Sequence, residues 1–332
     1  MNKYLFLMFL LIFLGCNQKK LNKNVPELEI WESYISKCSD FTSPNFLSTE
    51  NFKNVNKSII IARKLDNYYL AKSHSLRGHL HELLSDRYDL ALNDYLAALR
   101  LSDGSQNEFY CNLGHIFTLL GDYKLAEILL NTALKNDNEK NGLNISQDKL
   151  NTLSLLGYLY YEAQDLKKSE EIYDSLKEFY INLHGNEHYF IKLYLLRKLS
   201  ISNKSMDIKK SKQYIKEYEE NKNVIPIELI PFEKINWLFE LGNYYLLIND
   251  FESAEKYYIE GSSLIDSLKF QKELYRIDFY YNLGNLYNKK KDMIKSYEFF
   301  SKAESKLIYL FGINHPKVKI INDLRNKCRP QN

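Results

Sequence analysis

One phrase recurs along this chain at a nearly fixed interval, and it restricts the fold more than any other feature. The phrase is an apolar residue, Gly, two spacers and an aromatic, followed by Asp, an apolar residue, two spacers and a small residue. Leu113-Gly114-x-x-Phe117 leads into Gly121-Asp122-Tyr123-x-x-Ala126, and Leu156-Gly157-x-x-Tyr160 into Asp165-Leu166-x-x-Ser169. Leu241-Gly242-x-x-Tyr245 leads into Asp250-Phe251-x-x-Ala254, and Leu283-Gly284-x-x-Tyr287 into Asp292-Met293-x-x-Ser296. A looser copy holds Gly78 and Tyr88-x-x-Ala91; a degenerate one has Leu199 in the glycine's place but keeps Asp207-Ile208-x-x-Ser211. The small residues fall at 91, 126, 169, 211, 254 and 296, in steps of 35, 43, 42, 43 and 42.

The physical content of the phrase is a close approach of helices. Gly inside a helix costs about 1 kcal/mol relative to Ala, so Gly114, Gly157, Gly242 and Gly284 are tolerable only where a neighbouring helix packs against the missing side chain. Ala126, Ser169, Ser211, Ala254 and Ser296 are the small residues expected on that facing helix. Tyr160, Tyr173, Tyr245, Tyr258, Tyr287 and Phe300 are expected to fill the gap between helix pairs. One pair cannot bury such a face alone, so neighbours stack into one elongated core. The composition agrees. Twelve Gly and 6 Pro in 332 residues are too few to punctuate a many-stranded β protein, and 45% hydrophobic residues supply a core.

The phrase resembles the tetratricopeptide repeat. The first two copies sit near its usual period of about 34 residues, and the later ones resemble the 42-residue variety of kinesin light chains and related bacterial arrays. The resemblance covers about residues 70–325. It implies an all-α, right-handed superhelical solenoid of antiparallel helix pairs, with about six repeats plus end caps. The extra residues of the later repeats are expected mainly in the second helix of each pair, as in Leu166 to Leu183. Upstream, Trp31 to Ser39 and Asn51 to Leu65 read as helices of a divergent first pair or a cap, with Ile59 and Ala62 on an apolar face. Pro226 and Pro231 bracket the turn before Phe232, and residues 319–328 read as a final shielding helix.

The first residues read as an address. Lys3 precedes an uncharged, mostly apolar run from Tyr4 to Gly15, about 18 Å long as a helix and short of the ~30 Å hydrocarbon core. This is the pattern of a secretory signal, and Phe13-Leu14-Gly15-Cys16 resembles the lipobox of bacterial lipoproteins. The resemblance implies cleavage before Cys16, its lipidation, and a polar tether over Asn17 to Asn24 beside the membrane. Asn17 is not acidic, which by the same resemblance implies the outer membrane. An ordinary secretory signal with an incidental cysteine is the alternative. The resulting organisation is a signal peptide over 1–15, a lipidated Cys16 and tether over 16–26, capping helices or a divergent repeat over 27–69, the repeat array over 70–318, and a capping helix and tail over 319–332. Cys38, Cys111 and Cys328 are odd in number and match no metal spacing, so free thiols are expected.

Candidate chemistry is sparse. His184-x-x-Glu187-His188 matches an inverted zinc-protease pattern. However, Gly185-x-x-His188 recurs as Gly312-x-x-His315, 127 residues later and three repeat periods away. That is the in-phase turn between repeats of the longer variety. His79 and His81 are two apart and point to different sides of a helix, which ill suits a shared metal. No P-loop, dinucleotide fingerprint or Gly-x-Ser-x-Gly occurs, so no catalytic, cofactor-binding or metal-binding residue is expected. With 45 basic against 42 acidic residues, no nucleic-acid footprint is present. Lys209-Lys210-x-Lys212 and Lys289-Lys290-Lys291 read as solvated surface.

In tetratricopeptide proteins the first helix of each pair faces a concave groove. Carried over by resemblance, the groove residues here are Asn112, His115, Ser154, Tyr158, Phe239, Asn243, Tyr281, Asn282 and Asn285. Asparagine offers donor and acceptor to an extended peptide backbone, and Asn243 and Asn282 occupy adjacent repeats as in clamp-type arrays. The clamp's lysine is missing, its positions holding Cys111, Ser154, Phe239 and Tyr281. The expected function is a non-catalytic scaffold lipoprotein of the cell envelope that binds a protein or peptide. The alternatives are a ligand- or peptide-binding sensor acting on a separate membrane protein, a glycan-binding lipoprotein and a metal-dependent hydrolase.

Overall fold

The computed structural model describes residues 26–39, 49–84, 86–102, 104, 106–141, 146–185, 188–222, 230–267 and 273–329. The segment expected to be a signal, Cys16 and residues 17–25 of the expected tether lie outside the described residues, as do Glu187, Pro226 and the residues after 329. The described residues form fifteen helices and no strand, and no helix among them is long and apolar enough to cross a membrane. Packing divides the chain at residue 159/160 into two compact units.

The N-terminal unit contains α1 (Pro26–Ser39), α2 (Thr49–Ala62), α3 (Asn67–Leu84), α4 (Tyr88–Leu101), α5 (Asn107–Leu120), α6 (Tyr123–Asn141) and most of α7 (Gln147–Glu162). The C-terminal unit holds the last turn of α7, then α8 (Leu166–His184), α9 (Phe190–Lys204), α10 (Ile208–Glu220), α11 (Ile230–Leu247), α12 (Phe251–Ser267), α13 (Glu273–Lys289), α14 (Met293–Phe311) and α15 (Pro316–Lys327). Within each unit helices pack on their sequence neighbours, most extensively in the pairs α1–α2, α3–α4, α5–α6, α9–α10, α11–α12 and α13–α14.

The glycines act at the point of closest approach. A Cβ on Gly78 would meet the Tyr95 ring at 2.6 Å, on Gly242 the Tyr258 ring at 2.4 Å, and on Gly284 the Phe300 ring at 2.7 Å; on Gly114 it would meet Leu130 at 2.6 Å. Each blocking side chain lies four residues after the small residue of its repeat, one helical turn on. The small residues at 91, 126, 169, 211, 254 and 296 are themselves fully buried. The small residue lets the second helix approach, and the next turn's large side chain fills the space the glycine leaves.

The six turns from the α3–α4 pair onward share a left-handed residue, and the last five of them are built alike. Asp86, Gly121, Gln164, Met206, Asn249 and Lys291 have left-handed backbone, with φ between 49° and 82°, in the same 35, 43, 42, 43, 42 steps. After the last five, the backbone N–H of Asp122, Asp165, Asp207, Asp250 and Asp292 donates to the carbonyl five residues back at 2.9–3.0 Å, closing the first helix as a Schellman motif does. Each of these aspartates then caps the second helix, accepting from the N–H three residues on at 3.0–3.2 Å. The aspartate of the phrase is thus a hinge pin shared by two helices.

Three expectations need correction. The second helices α6, α8, α12 and α14 run 17 to 19 residues, against 14 for α4, but α10 has only 13. There the period is made up by the link after Glu220 and by α11, whose 18 residues carry Pro231 in the first turn, where a missing N–H costs nothing. The last helix starts at Pro316, earlier than 319, because His315 caps it: its Nδ1 accepts from Lys317 N at 3.2 Å. α2 likewise spans Thr49–Ala62 and ends short of Leu65.

Backbone strain can be tested at two turns. Lys291 is exposed in a left-handed conformation that glycine adopts freely, so Lys291→Gly should raise unfolding free energy by up to about 1 kcal/mol in urea titrations. Gly312 has φ +80°, ψ 168°, a region nearly exclusive to glycine, and an added Cβ would meet nothing within 4 Å. Gly312→Ala should therefore lose about 1–3 kcal/mol through the backbone alone.

Candidate functional site

The first helices of the two units treat their inward positions differently. In the N-terminal unit those positions are closed by a continuous buried polar chain. Lys72 pairs with Glu108; Ser75 Oγ donates to Glu108 Oε1 at 2.7 Å; Asn112 Nδ2 donates to Ser75 Oγ at 3.2 Å and lies 3.4 Å from His79 Nε2. His79 Nδ1 is 2.8 Å from the Tyr95 hydroxyl, which donates to Glu82 Oε2 at 3.1 Å. Glu82 Oε1 is 3.0 Å from His115 Nδ1.

The donors fix the direction of this chain. Tyr95 gives its proton to the carboxylate, so His79 must carry its own on Nδ1 and present Nε2 to the Asn112 amide as an acceptor. A second proton on His79 would face that amide N–H. Burial pushes the His79 pKa down to about 4, outweighing the nearby Glu82 and Glu108. Burial alone would raise Glu82, but His115, by charge and hydrogen bond, with His79 and Tyr95, takes it down to about 2.

In the C-terminal unit the corresponding face stays partly open. Asn203 Nδ2 donates to the Glu240 backbone O at 3.0 Å and to Glu240 Oε2 at 2.9 Å. Asn243 Nδ2 donates to the same carboxylate oxygen at 3.1 Å, and its Oδ1 accepts from Tyr258 at 2.8 Å and from Asn282 Nδ2 at 2.7 Å. Glu240 Oε1, buried, has no hydrogen-bond partner among the described residues. Beside this network Lys204 Nζ donates to Tyr161 O at 2.7 Å and stands 3.8 Å from the centroid of that ring. Burial pushes the Lys204 pKa down to about 8, against Glu162, and Lys317 adds to the effect. Lys317 in turn pairs with Glu162 at 2.7 Å. Burial would raise the Glu162 carboxyl, and Lys317 and Lys204 hold it below the ordinary range.

The nine residues carried over from the resemblance divide along the same line. Asn112, His115, Ser154 and Tyr158 are buried. Phe239, Asn243, Tyr281, Asn282 and Asn285 are half-buried, all in the C-terminal unit. Asn243 and Asn282, singled out for their adjacent placement, bond to each other, and Asn285 makes no side-chain hydrogen bond among the described residues. Sequence reasoning missed His79 and Glu240. His79 follows Gly78 as His115 follows Gly114, but Arg77 in place of leucine obscured the register. Glu240 occupies the position of Asn112 and Asn282, immediately before its Leu-Gly.

His188 and His315 have a structural role. Each follows a glycine whose N–H closes the preceding helix at 2.8 Å, and each accepts at Nδ1 from a backbone N–H two residues on, at 3.3 and 3.2 Å. Their rings stack on Tyr180 at 5.5 Å and on Phe311 at 5.1 Å. Among the described residues no group of three or more His, Cys, Asp or Glu is placed to hold a metal ion. Cys38, Cys111 and Cys328 are buried free thiols.

The buried chain predicts acid sensitivity of the N-terminal unit. His79 has its folded pKa below the ordinary 6.5, so the unfolded chain takes up a proton first and stability falls as pH drops from 6.5 towards 4. Glu82, lowered from 4.5, adds a further loss between pH 4.5 and 2. Trp31 reports on this unit, donating to Ser73 Oγ at 2.8 Å. In a Trp237→Phe background, urea unfolding followed by Trp31 fluorescence should lose on the order of 1–3 kcal/mol between pH 6.5 and 4. Adding His79→Gln should flatten that segment.

Comparison with known proteins agrees with this architecture. The tetratricopeptide repeat family model matches residues 108–140 and 277–305, one segment in each unit. No curated protein matches the sequence. Among solved structures, the chain is similar to a tetratricopeptide repeat protein from Parabacteroides merdae, at 16% identity and TM-score 0.53, covering 90% of this chain and 99% of that one. It is also similar to the apo form of the quorum sensor NprR from B. thuringiensis, at 14% identity and TM-score 0.53, covering 91% of this chain and 86% of that one. At such identities the likeness shows the fold alone. The chain is an all-α protein that contains tetratricopeptide repeats.

Proposed function

We propose that this chain is a non-catalytic binding protein of the bacterial cell envelope. In this reading a lipid on Cys16 holds it at the outer membrane, and the first-helix face of its C-terminal unit takes an extended segment of a partner protein. The observation that supports this best is the half-buried set Phe239, Asn243, Tyr281, Asn282 and Asn285, next to a Glu240 carboxylate oxygen that still lacks a donor. Tyr281 and Phe239 offer apolar area and Asn285 an amide for a peptide backbone. Glu240 Oε1 offers a buried acceptor for one donor of the incoming segment; binding that fills it recovers a desolvation cost already incurred on folding. Anchoring rests on the Phe13-Leu14-Gly15-Cys16 resemblance to a lipobox. Stable membrane attachment takes more than one acyl chain, which lipoprotein processing at Cys16 supplies.

Cross-linking in the native membrane followed by mass spectrometry tests this reading. The chain should cross-link to one protein partner, and Tyr281→Ala/Asn285→Ala should reduce that product at least tenfold while leaving thermal stability nearly unchanged. A partner retained in full by the variant would place binding elsewhere. In the same experiment Cys16→Ser should leave the protein without acyl mass and outside the membrane fraction; an acyl-free, soluble wild type would remove the anchor from the account.

A further inference from the structure

We propose that the turn edge of the C-terminal unit is a contact surface for an anionic lipid membrane. Two structural ties set turns side by side: Lys204 Nζ donates to Tyr161 O at 2.7 Å, and Lys289 Nζ to Leu246 O at 3.2 Å. Between them α9 packs along α11, with Asn203 Nδ2 donating to Glu240 O at 3.0 Å. The four turns at 164–168, 205–212, 248–252 and 289–295 therefore form one edge.

That edge carries apolar tips in water. Met206 is 73% exposed and Ile294 70%, with Ile208, Ile248 and Met293 also exposed. They occupy turn positions outside the helix interface, where packing makes no demand for an apolar side chain. The same four segments hold nine lysines against five acidic residues, more net positive charge than the +3 of the whole chain. Four of the five carboxylates, Asp165, Asp207, Asp250 and Asp292, are turned to backbone N–H groups as helix caps. Lys167, Lys168, Lys210, Lys290 and Lys295 pair with neighbouring carboxylates, whereas Lys209, Lys212 and Lys291 make no ion pair among the described residues and supply the free positive charge of the edge.

Protruding apolar tips flanked by lysines with long apolar stems match the chemistry of a membrane interface. The tips enter the headgroup boundary, and the ammonium groups meet anionic phosphates. The charge also selects among occupants. A second copy docked edge to edge would set lysines against lysines, which association does not tolerate. The inference is independent of lipidation at Cys16, since it concerns residues of the folded unit.

The test is vesicle co-sedimentation of the chain from residue 16 onward with Cys16→Ser, which retains every described residue. Vesicles of phosphatidylcholine with about one third phosphatidylglycerol should bind it at 0.1 M salt, and binding should fall at least tenfold on pure phosphatidylcholine or at 0.5 M salt. Lys209→Glu/Lys212→Glu/Lys291→Glu and, separately, Met206→Asn/Ile294→Ser should each weaken binding at least tenfold. All five positions are exposed, and asparagine accepts the left-handed backbone of residue 206, so both variants should keep the wild-type melting temperature. Absence of binding to anionic vesicles, or binding unchanged in both variants, would overturn the proposal. So would a wild-type dimer in solution that the tip variant dissolves without any vesicle binding, which would assign the edge to a second copy.

Discussion

The contact between a helix glycine and a large side chain one turn beyond a small residue is what the rest of this structure depends on. At Gly78, Gly242 and Gly284 an added Cβ would fall within 2.7 Å of a buried ring, so first and second helices pack with backbone nearly against side chain. The repeat turn makes this contact reproducible. A left-handed residue ends one helix, an aspartate starts the next, and the crossing is set before any long-range packing is formed. Local geometry of this kind, repeated five times, is why a chain with few glycines and prolines still places its turns at regular intervals.

On that frame the same positions serve two ends. Residues beside the repeat glycine point inward from the first helix. In the N-terminal unit they carry His79, Asn112 and His115, which join Glu82, Tyr95 and Glu108 in a closed polar chain. In the C-terminal unit they carry Glu240, Asn243, Asn282 and Asn285, whose network stops short of satisfying every group and leaves aromatic and amide surface half-open. Each network leaves a buried acceptor without a donor among the described residues, Asn112 Oδ1 in the first and Glu240 Oε1 in the second, so what distinguishes them is exposure and not satisfaction. The contrast separates a half whose first-helix face is buried from a half where that face is partly exposed.

Much of this was legible in the sequence because it is periodic. Glycine, aspartate and small-residue positions recur in one register, and from them come the helix pairs, the turns and the capping role of Gly185-x-x-His188 and Gly312-x-x-His315. What escaped depends on side-chain identity at unbroken helical positions. Nothing in the spacing distinguishes a buried Asn112 from a half-open Asn282, because both precede a Leu-Gly; burial is decided by which residues the neighbouring helices bring, Ser75 and His79 in one case and Asn243 in the other. The short α10 was likewise hidden, since the link after Glu220 and a longer α11 restore the period. The lysine runs read as solvated surface by composition alone; only their place beside exposed Met206 and Ile294 along one edge gives them a further meaning.

The central claim is that the first-helix face is sealed in the N-terminal unit and open in the C-terminal one. Hydroxyl-radical footprinting of the isolated protein, read by mass spectrometry, tests it most directly. Phe239 and Tyr281 should oxidise readily while Tyr158, 1% exposed, and His115 stay protected until the chain is unfolded. Equal labelling of the two sets, or protection of Phe239 and Tyr281 with oxidation of Tyr158, would contradict the account.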